Sequence, residues 1–497
     1  MPPRAEVMTA TSKPSVQLTA DQLKAVDAAM AVAESAGHMS LIGPAGCGKT
    51  TTIRAIAQEA VNRWPAKTVL LLAPTHKARQ QFAAAKLPRG VRRETIHRFI
   101  GVNAATWRDE DRFNLADSGD LRRVQETRHR YCLVIVDESS MVCSQYAKKA
   151  LDICTAAEVG IVFSGDPYQL PPVFNNEKTD DDQEGPDVEA TESTLAQEFI
   201  DAPVKILLTQ VLRHGGPILE YATYIRKNWH LQHSFPAASA KDSSSEIRVS
   251  LDPMGEFIYY YKELYEQLED GDIDHEDIYR LSPRALCYTN GSVHTYTHQL
   301  RRQSLGARAG SQWLPGELVM IKHYCACATP RFIPSATDAI VIGSEVVEIE
   351  KSFQLVWQTA KRGLKRSETL HYKAQAQMLD LRLIRPDGSF DQTAIYRFGT
   401  PLIGDKQSGE AYSSLKRKIR STGLGSQHDS WKWLKAIKDN YRNTITSAFV
   451  MTVHSSQGST FRDVYVCGDI LRADKDRNSL LYVAATRASH SITFGRP

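Results

Sequence analysis

The sequence predicts an α/β protein with two domains built on parallel sheets, the second split by a long insertion of a different kind. Three observations carry that prediction. Through roughly the first two hundred residues, short apolar runs alternate with stretches of helical composition. A second set of such runs appears late in the chain, at Ala285–Thr289, Phe449–Val453 and Asp463–Cys467. Between them, from about Ser311 to Arg442, the apolar segments are short and bounded by turn residues. Continuous apolar runs that end in polar residues suit a parallel sheet covered on both faces, with functional groups at its carboxyl edge.

In chain order, Met1 to Val16 is polar, contains prolines and lacks the apolar centre of a signal peptide, so a disordered tail is expected. The first domain is expected over 17–206. Thr19 followed by Gln22 has the form of a helix capping box. His38–Ile42 reads as a strand, Thr51–Ala57 as a helix, and Thr68–Ala73, Leu133–Val136 and Gly160–Ser164 as further strands. Two excursions interrupt this domain. One is polar, at 103–129. The other is an acidic surface loop at 175–193, where Glu177 to Glu192 carries eight acidic residues and only Lys178 against them. The second domain is expected over 207–310 and 443–497. Within the insertion, 311–442, strands are expected at Glu317–Ile321, Ala339–Ile342 and Leu379–Ile384, with a hairpin turn at Arg385–Ser389. These suggest a small β-barrel followed by a basic helical piece containing Trp431 and Trp433.

The bulk composition bounds the class. With 497 residues, 42% of them apolar and 24% charged, the chain has the make-up of a soluble globular protein of two to four domains. No apolar run approaches the roughly 20 residues of a membrane span, so a cytoplasmic protein (host cytoplasm if viral) with no membrane partner is expected. Eight cysteines are scattered, and the one close pair, Cys325 and Cys327, has no second pair at zinc-site spacing; reduced thiols are expected. A net charge of +4 does not by itself imply a polyanionic partner. Basic clusters at Lys86–Arg93, Arg122–Arg130, Lys361–Arg366 and Lys416–Arg420 leave a solvated face and a polyanion site equally open.

The chemistry starts at Gly43-Pro44-Ala45-Gly46-Cys47-Gly48-Lys49-Thr50, which fits G-x-x-x-x-G-K-[ST] between a strand and a helix. Glycines let successive backbone N–H groups turn around an anion, and the helix that begins near Thr51 points its N-terminal dipole at it. Lys49 then reaches the β- and γ-phosphates of a nucleotide, and the Thr50 hydroxyl holds Mg²⁺. The strand Leu133–Val136 delivers Asp137 and Glu138 at its end. Phosphoryl transfer to water needs an acid near Mg²⁺ and a base for the attacking water, which suits Asp137 and Glu138 in that order. Gly165–Val173 follows the next strand, with Gln169 set to meet the γ-phosphate or water. Far along the chain, Thr452–Gly458 and Tyr482–Ala488 complete the set. An arginine brought in from a second domain would couple hydrolysis to domain closure, and Arg213 and Arg487 are the candidates.

The order of these elements, together with Ala73–Ala78 and Thr95-Ile96-His97, resembles the RecD-like, 5′-to-3′ branch of superfamily 1 helicases, most of all its Dda-type phage members. The subgroup rests on details. The third loop reads Gln169-Leu170-Pro171-Pro172 and lacks the acidic form usual in UvrD-like enzymes, and His454 stands three residues before Gln457. Ser455 departs from the lysine common there. The resemblance implies two RecA-like P-loop NTPase domains, an SH3-like β-barrel insertion and a small hairpin at 103–129 acting as a wedge, with Trp107 or Phe113 at its tip. It implies ATP and Mg²⁺ as cofactors, with Gln22 on the adenine, and Thr51, Gln457 and Gly458 beside the nucleotide. Thr75, His76, Lys77, His97, Thr452 and His454 are implied contacts to single-stranded DNA. Forked duplex DNA is the implied substrate, with single-strand binding, replication or recombination proteins as further partners. An RNA-directed helicase, or an ATP-switched loader that does not unwind, is the alternative.

Overall fold

The computed structural model describes residues 17–74, 87–102, 113–171, 196–211, 215–322, 325, 328, 330, 332–334, 337–358, 365–385, 387–425 and 428–496. The first sheet holds β1 (His38–Ile42), β2 (Thr68–Ala73), β3 (Val91–Thr95), β4 (Tyr131–Val136), β5 (Gly160–Gly165) and β6 (Val204–Leu207). Its order is β3-β2-β4-β5-β1-β6, and every pairing is parallel. The apolar runs sit where their composition requires. Every residue of β4 and β5 is buried. Leu133 and Ile135 pack with Ile53 and Ile56 on one face, and Val134 and Val136 with Ala147 and Ile153 on the other. A strand covered on both sides has no polar face to alternate with.

A second sheet begins with β7 (Ala240–Lys241), β8 (Glu246–Ser250) and β9 (Arg284–Cys287). The chain then leaves it for a third, antiparallel sheet: β10 (Leu318–Ile321), β11 (Thr337–Gln358), β12 (Lys365–Leu383), β13 (Tyr396–Pro401) and β14 (Ile445–Ser447). It returns through Ala448 and Phe449 to β15 (Val450–Thr452), β16 (Phe461–Val466) and β17 (Ala488–Gly495). The second sheet is ordered β15-β9-β16-β17-β8-β7 and is parallel except for β7. Helices at its flanks close a core around Leu286, Val464, Leu480, Val483 and Ile492.

The insertion corrects one expectation. Among the described residues its order is β13-β12-β11-β10-β14, so β13 and β14 lie at opposite edges and no pairing between them closes a barrel. Two of its strands run on far beyond the others: β11 and β12 stay paired from Ala339 opposite Leu383 out to Gln358 opposite Lys365. The segments Ala339–Ile342 and Leu379–Ile384 are the bases of this arm. Their continuation is polar on one face (Glu348, Glu350, Ser352), which hides a strand from any reading that follows apolar runs alone. On the other face Ile349, Leu355, Leu370 and Tyr372 pack against Leu415 and Ile419 of the helix Lys406–Ser421, and against Leu434 and Ile437 of the helix Asp429–Tyr441. The turn at Arg385–Ser389 is present, tied by Arg385 N–H to the Ser389 carbonyl at 2.8 Å.

The excursion at 103–129 is described only in part. Residues 103–112, including Trp107, and the acidic loop 175–193 lie outside the described residues. Ser118–Arg130 is a helix and not a hairpin strand; the Asp117 carboxylate caps it by accepting from Asp120 N–H at 2.9 Å, and Val124 faces the core. Phe113 packs half-buried against that core. The basic run on this helix is largely paired, Arg123 with Asp120, Arg128 with Glu158 and Arg130 with Glu126. Among the described residues no helix is long and apolar enough to cross a membrane, no cluster of side chains is arranged to hold a metal, and the cysteines are buried free thiols.

A buried ion pair pins the insertion to the second sheet. Arg301, on the helix Asn290–Leu305, meets Glu317 through Nε–Oε2 at 2.6 Å and a second bond of 2.9 Å, and also donates to the Gly310 and Gln312 carbonyls. Its guanidinium lies 4.8 Å from the centre of the Trp313 ring. Removing one partner leaves the other charged and buried, so Glu317→Ala should lower stability by about 3–5 kcal/mol. Denaturant unfolding measures this, and an unchanged midpoint would show that the junction does not depend on the pair.

Candidate active site

The loop Gly43–Gly48 leaves the carboxyl end of β1 and enters the helix Lys49–Arg63. At Gly43 a side chain is excluded, because a Cβ would meet Cys47 Sγ at 2.5 Å and Leu208 Cβ at 3.0 Å. Gly46 and Gly48 have φ of 81° and 84°, the left-handed region that glycine enters without penalty. Lys49 folds back across the loop and donates from Nζ to the carbonyls of Gly43 (2.8 Å) and Pro44 (3.0 Å). Thr50 is exposed in the first helical turn, Thr51 half-buried, and the Thr52 hydroxyl caps Gly48 C=O at 3.0 Å.

Asp137 and Glu138 follow β4. Asp137 is buried, and its backbone N–H is held by the Leu72 carbonyl at 3.0 Å. Burial, and then the neighbouring Glu138 charge, push its carboxyl up to about 7, with Lys49 pulling the other way. Glu138 sits at φ 51°, a strained conformation for a residue with a Cβ. Its Oε2 is buried without a hydrogen-bond partner among the described residues, and so is Oε1 of Gln169, in the loop after β5. An unmatched buried acceptor costs about 1–3 kcal/mol. Two of them from separate loops, beside a carboxyl poised near neutrality and a lysine, form a pocket built for a polar occupant that brings its own donors.

The opposite wall comes from the second sheet. Tyr482, on the helix Arg477–Arg487, donates its hydroxyl to Asp166 Oδ2 at 2.6 Å and accepts from the Ala45 N–H at 3.2 Å. Burial and the Asp166 charge raise this phenol well above its usual range. Arg226, on the helix Gly216–Lys227, approaches Asp166 Oδ1 to 3.9 Å and lies 4.8 Å from the centre of the Tyr168 ring. A cavity of about 480 Å³ separates these walls, lined by Ala45, Tyr168, Arg226, Tyr482 and Thr486 among others. Gln457 extends its amide toward the Leu170 carbonyl at 3.5 Å, and Gly458 adjoins it. Arg487 is buried behind them and donates to the Ser459 carbonyl at 2.9 Å and to Val483 at 3.2 Å.

Gly43 to Thr51, Asp137, Glu138 and Gln169 follow the carboxyl ends of neighbouring strands of the first sheet, Gln457 reaches the Gln169 loop through the Leu170 carbonyl, and Arg487 donates to carbonyls of the second domain, while Arg213, Thr75, His76 and Lys77 lie outside the described residues. Gln22 makes both bonds of its capping box with Thr19 and also donates to the Cys47 carbonyl at 3.4 Å, which seats it on the loop. His97 lies past β3, edge-on to Tyr146 at 5.0 Å. Thr452 ends β15, where its hydroxyl caps the next helix by accepting from Ser455 N–H at 3.2 Å. Ser455 adds a hydroxyl–hydroxyl bond of 2.9 Å to that cap, a contact that a lysine would not make. Burial lowers the His454 imidazole pKa. β3 and β15 are edge strands, and three strands separate β3 from β1 and its phosphate loop. Tyr482, Asp166 and Arg226 escape sequence reasoning as site residues. Tyr482 and Asp166 sit in segments singled out for other members, but their partnership spans more than three hundred positions.

Asp137 generates a prediction with a defined sign. Its folded pKa, about 7, lies above the ordinary 3.8, so the folded chain keeps a proton that the unfolded chain releases between those values. Stability from this group is therefore present at low pH and lost as pH rises toward neutrality. In the presence of a chelator, Asp137→Asn should melt increasingly above the wild type as pH goes from about 4 to about 7. A gap that is constant with pH would refute the raised pKa.

Two family matches fall on the two parallel sheets. Residues 22–175 match the AAA domain family and residues 447–494 the UvrD-like helicase C-terminal domain. The chain is similar to the ATP-dependent DNA helicase dda of Enterobacteria phage T4, with 24% identity over 312 residues, spanning 62% of this chain and 61% of that protein. It is also similar to an uncharacterized protein of Acanthamoeba polyphaga mimivirus, 20% identical over 499 residues, covering 91% and 94% of the two chains. Among solved structures it is similar to the Pif1 helicase of Candida albicans (15% identity, 97% and 94% covered, TM-score 0.47). Bacteroides Pif1 bound to single-stranded DNA matches at 16% identity, 96% and 92% coverage and TM-score 0.47. The chain thus carries an AAA-type domain on the first sheet and a match to the UvrD-like helicase C-terminal domain on the second, and over about three fifths of its length it is similar to a phage DNA helicase.

Proposed function

We propose that this chain is an ATP-dependent DNA helicase that moves 5′ to 3′ on single-stranded DNA and separates duplex ahead of it. The observation that carries the proposal is the bond from the phosphate loop, through Tyr482, to the second sheet, since an event at the loop is felt directly by the opposite wall. The T4 relative, an ATP-dependent DNA helicase by name, supports the same reading. Residues 17–206 form one motor domain, 207–310 with 443–497 the other, and 311–442 an accessory unit.

ATP supplies the phosphoanhydride whose hydrolysis drives the cycle. The amides of Gly43 to Gly48 and the Lys49 ammonium would hold its phosphates, with Lys49 exchanging two carbonyl partners for phosphate oxygens. Thr50 and Asp137 would hold Mg²⁺, and Asp137 would give up its proton on doing so. Glu138 would orient the attacking water and Gln169 would meet the γ-phosphate or that water. Both residues have a buried side-chain oxygen with no partner among the described residues. Gln22, Thr51, Gln457 and Gly458 would border the nucleotide, and Arg213 and Arg487 would approach it on closure. Thr75, His76, Lys77, His97, Thr452 and His454 would grip the strand, contacts that hold phosphates and bases without reading sequence.

Lys49→Ala should abolish ATP turnover, and Glu138→Gln should stop hydrolysis while nucleotide still binds; normal turnover in either removes the assignment. Duplexes carrying a 5′ or a 3′ single-stranded tail test direction. Displacement from the 3′ tail alone reverses the polarity, displacement of RNA but not DNA moves the substrate, and ATPase that single strands fail to stimulate points to a loader. Tyr482→Phe keeps the ring and removes the bond to a charged carboxylate, worth about 1.5–3 kcal/mol. It should lower kcat by about ten- to a hundredfold while nucleotide affinity changes less, and an unchanged kcat would detach Tyr482 from coupling.

A further inference from the structure

The two helices packed on the arm, Lys406–Ser421 and Asp429–Tyr441, carry eight Lys or Arg and three Asp or Glu between them. Their net charge of +5 exceeds the +4 of the entire chain, so the remainder of the protein is close to neutral. Core packing does not explain this concentration. The buried faces are apolar, formed by Leu415 and Ile419 on one helix and Leu434 and Ile437 on the other. Lys406 and Arg417, three turns apart and therefore on one face, are exposed, as are Lys435 and Lys438. None of these four forms an ion pair among the described residues, whereas Lys418 and Lys432 are paired with Glu368 and Asp429.

We propose that this helical face is a binding surface for the phosphate backbone of double-stranded DNA, separate from the single-strand path. The choice of duplex over single strand follows from the aromatic residues. Sites for single strands stack bases on exposed rings, which supply about 1–3 kcal/mol per base. Here every ring on the two helices is half-buried and occupied. Trp433 stacks on Phe353 with ring centres 5.6 Å apart, the Trp431 indole N–H donates to the Leu424 carbonyl, and Tyr412 lies against the Arg442 guanidinium. Cations without a stacking platform match a polymer whose bases are already stacked internally, leaving only phosphates to bind. The two helices pack on strands β11 to β13 of the insertion, so the surface would hold duplex while the cleft works on one strand. The inference rests on the DNA-motor reading given above.

The test uses the full chain without nucleotide, a fluorescently labelled blunt DNA duplex of mixed sequence, and a single strand of the same length. Replacing Lys406, Arg417, Lys435 and Lys438 together by Gln should weaken duplex binding by about ten- to a hundredfold and reduce the log–log salt slope by about 3.6, at about 0.9 for each phosphate that is no longer neutralised. Single-strand affinity and single-strand-stimulated ATPase should stay at wild-type levels. Glu410→Gln, which removes an exposed negative charge from the same helix, should strengthen duplex binding and gives a readout even if the fourfold variant folds poorly. Unchanged duplex affinity and slope in both variants would overturn the proposal, and so would an equal weakening for single strand, which would make the surface part of the strand path. ATPase without single-strand stimulation in the wild type would instead defeat the motor reading, while duplex binding to the arm would still be measurable.

Discussion

The hydroxyl of Tyr482 joins the two parallel sheets, and the geometry of the cleft depends on it. It accepts from the amide of Ala45 in the phosphate loop and donates to Asp166 at the end of β5, although Tyr482 itself belongs to the second sheet's helical layer. Asp166 is fully buried, and a buried carboxylate without donors is among the most expensive groups a protein can hold. Arg226 stands off at 3.9 Å, so the Tyr168 N–H on Oδ1, at 3.2 Å, and the phenol on Oδ2 supply its close donors. One loop of the first sheet and one helix of the second are thereby made parts of a single polar network, and movement of either disturbs the other.

Around that bond the site holds several groups out of their relaxed states. Asp137 keeps a proton near neutrality because its burial disfavours charge beside Glu138. Glu138 occupies a left-handed backbone conformation, and its Oε2, like Gln169 Oε1, is a buried acceptor without a partner among the described residues. Among the described residues Lys49 is satisfied by carbonyls of its own loop. Each departure costs stability. Local frustration gathered in one cleft is what a catalytic site requires of a fold that is otherwise consistently packed.

The third sheet answers to a different constraint. Its arm is two strands wide, and a ribbon of that width has too little core to stand alone. The helices Lys406–Ser421 and Asp429–Tyr441 cover one face with leucine and isoleucine and leave their outer faces to charge. The Arg301–Glu317 pair fixes where this unit departs from the second sheet.

Much of this was legible locally. Gly43 to Thr50 declares a phosphate loop by spacing alone, because glycines and a lysine must fall at set intervals to wrap an anion. The strands at His38–Ile42 and Thr68–Ala73 appear at their expected bounds, since a strand buried on both faces must be apolar throughout. The capping box at Thr19 and Gln22 is likewise a matter of three-residue spacing. Long-range pairing was not legible. The residue that completes Asp166 and Ala45 lies over three hundred positions away, the arm's polar face conceals its strand period, and among the described residues of 311–442 β13 and β14 stand at opposite edges where a barrel was expected. Sequence by itself determined where a phosphate-binding spacing and its accompanying carboxylates fall along the chain, because such patterns are written in short intervals. Tertiary structure alone decided which of them meet, because the pairing of buried charge and the closing of a sheet are settled only when distant segments are packed together.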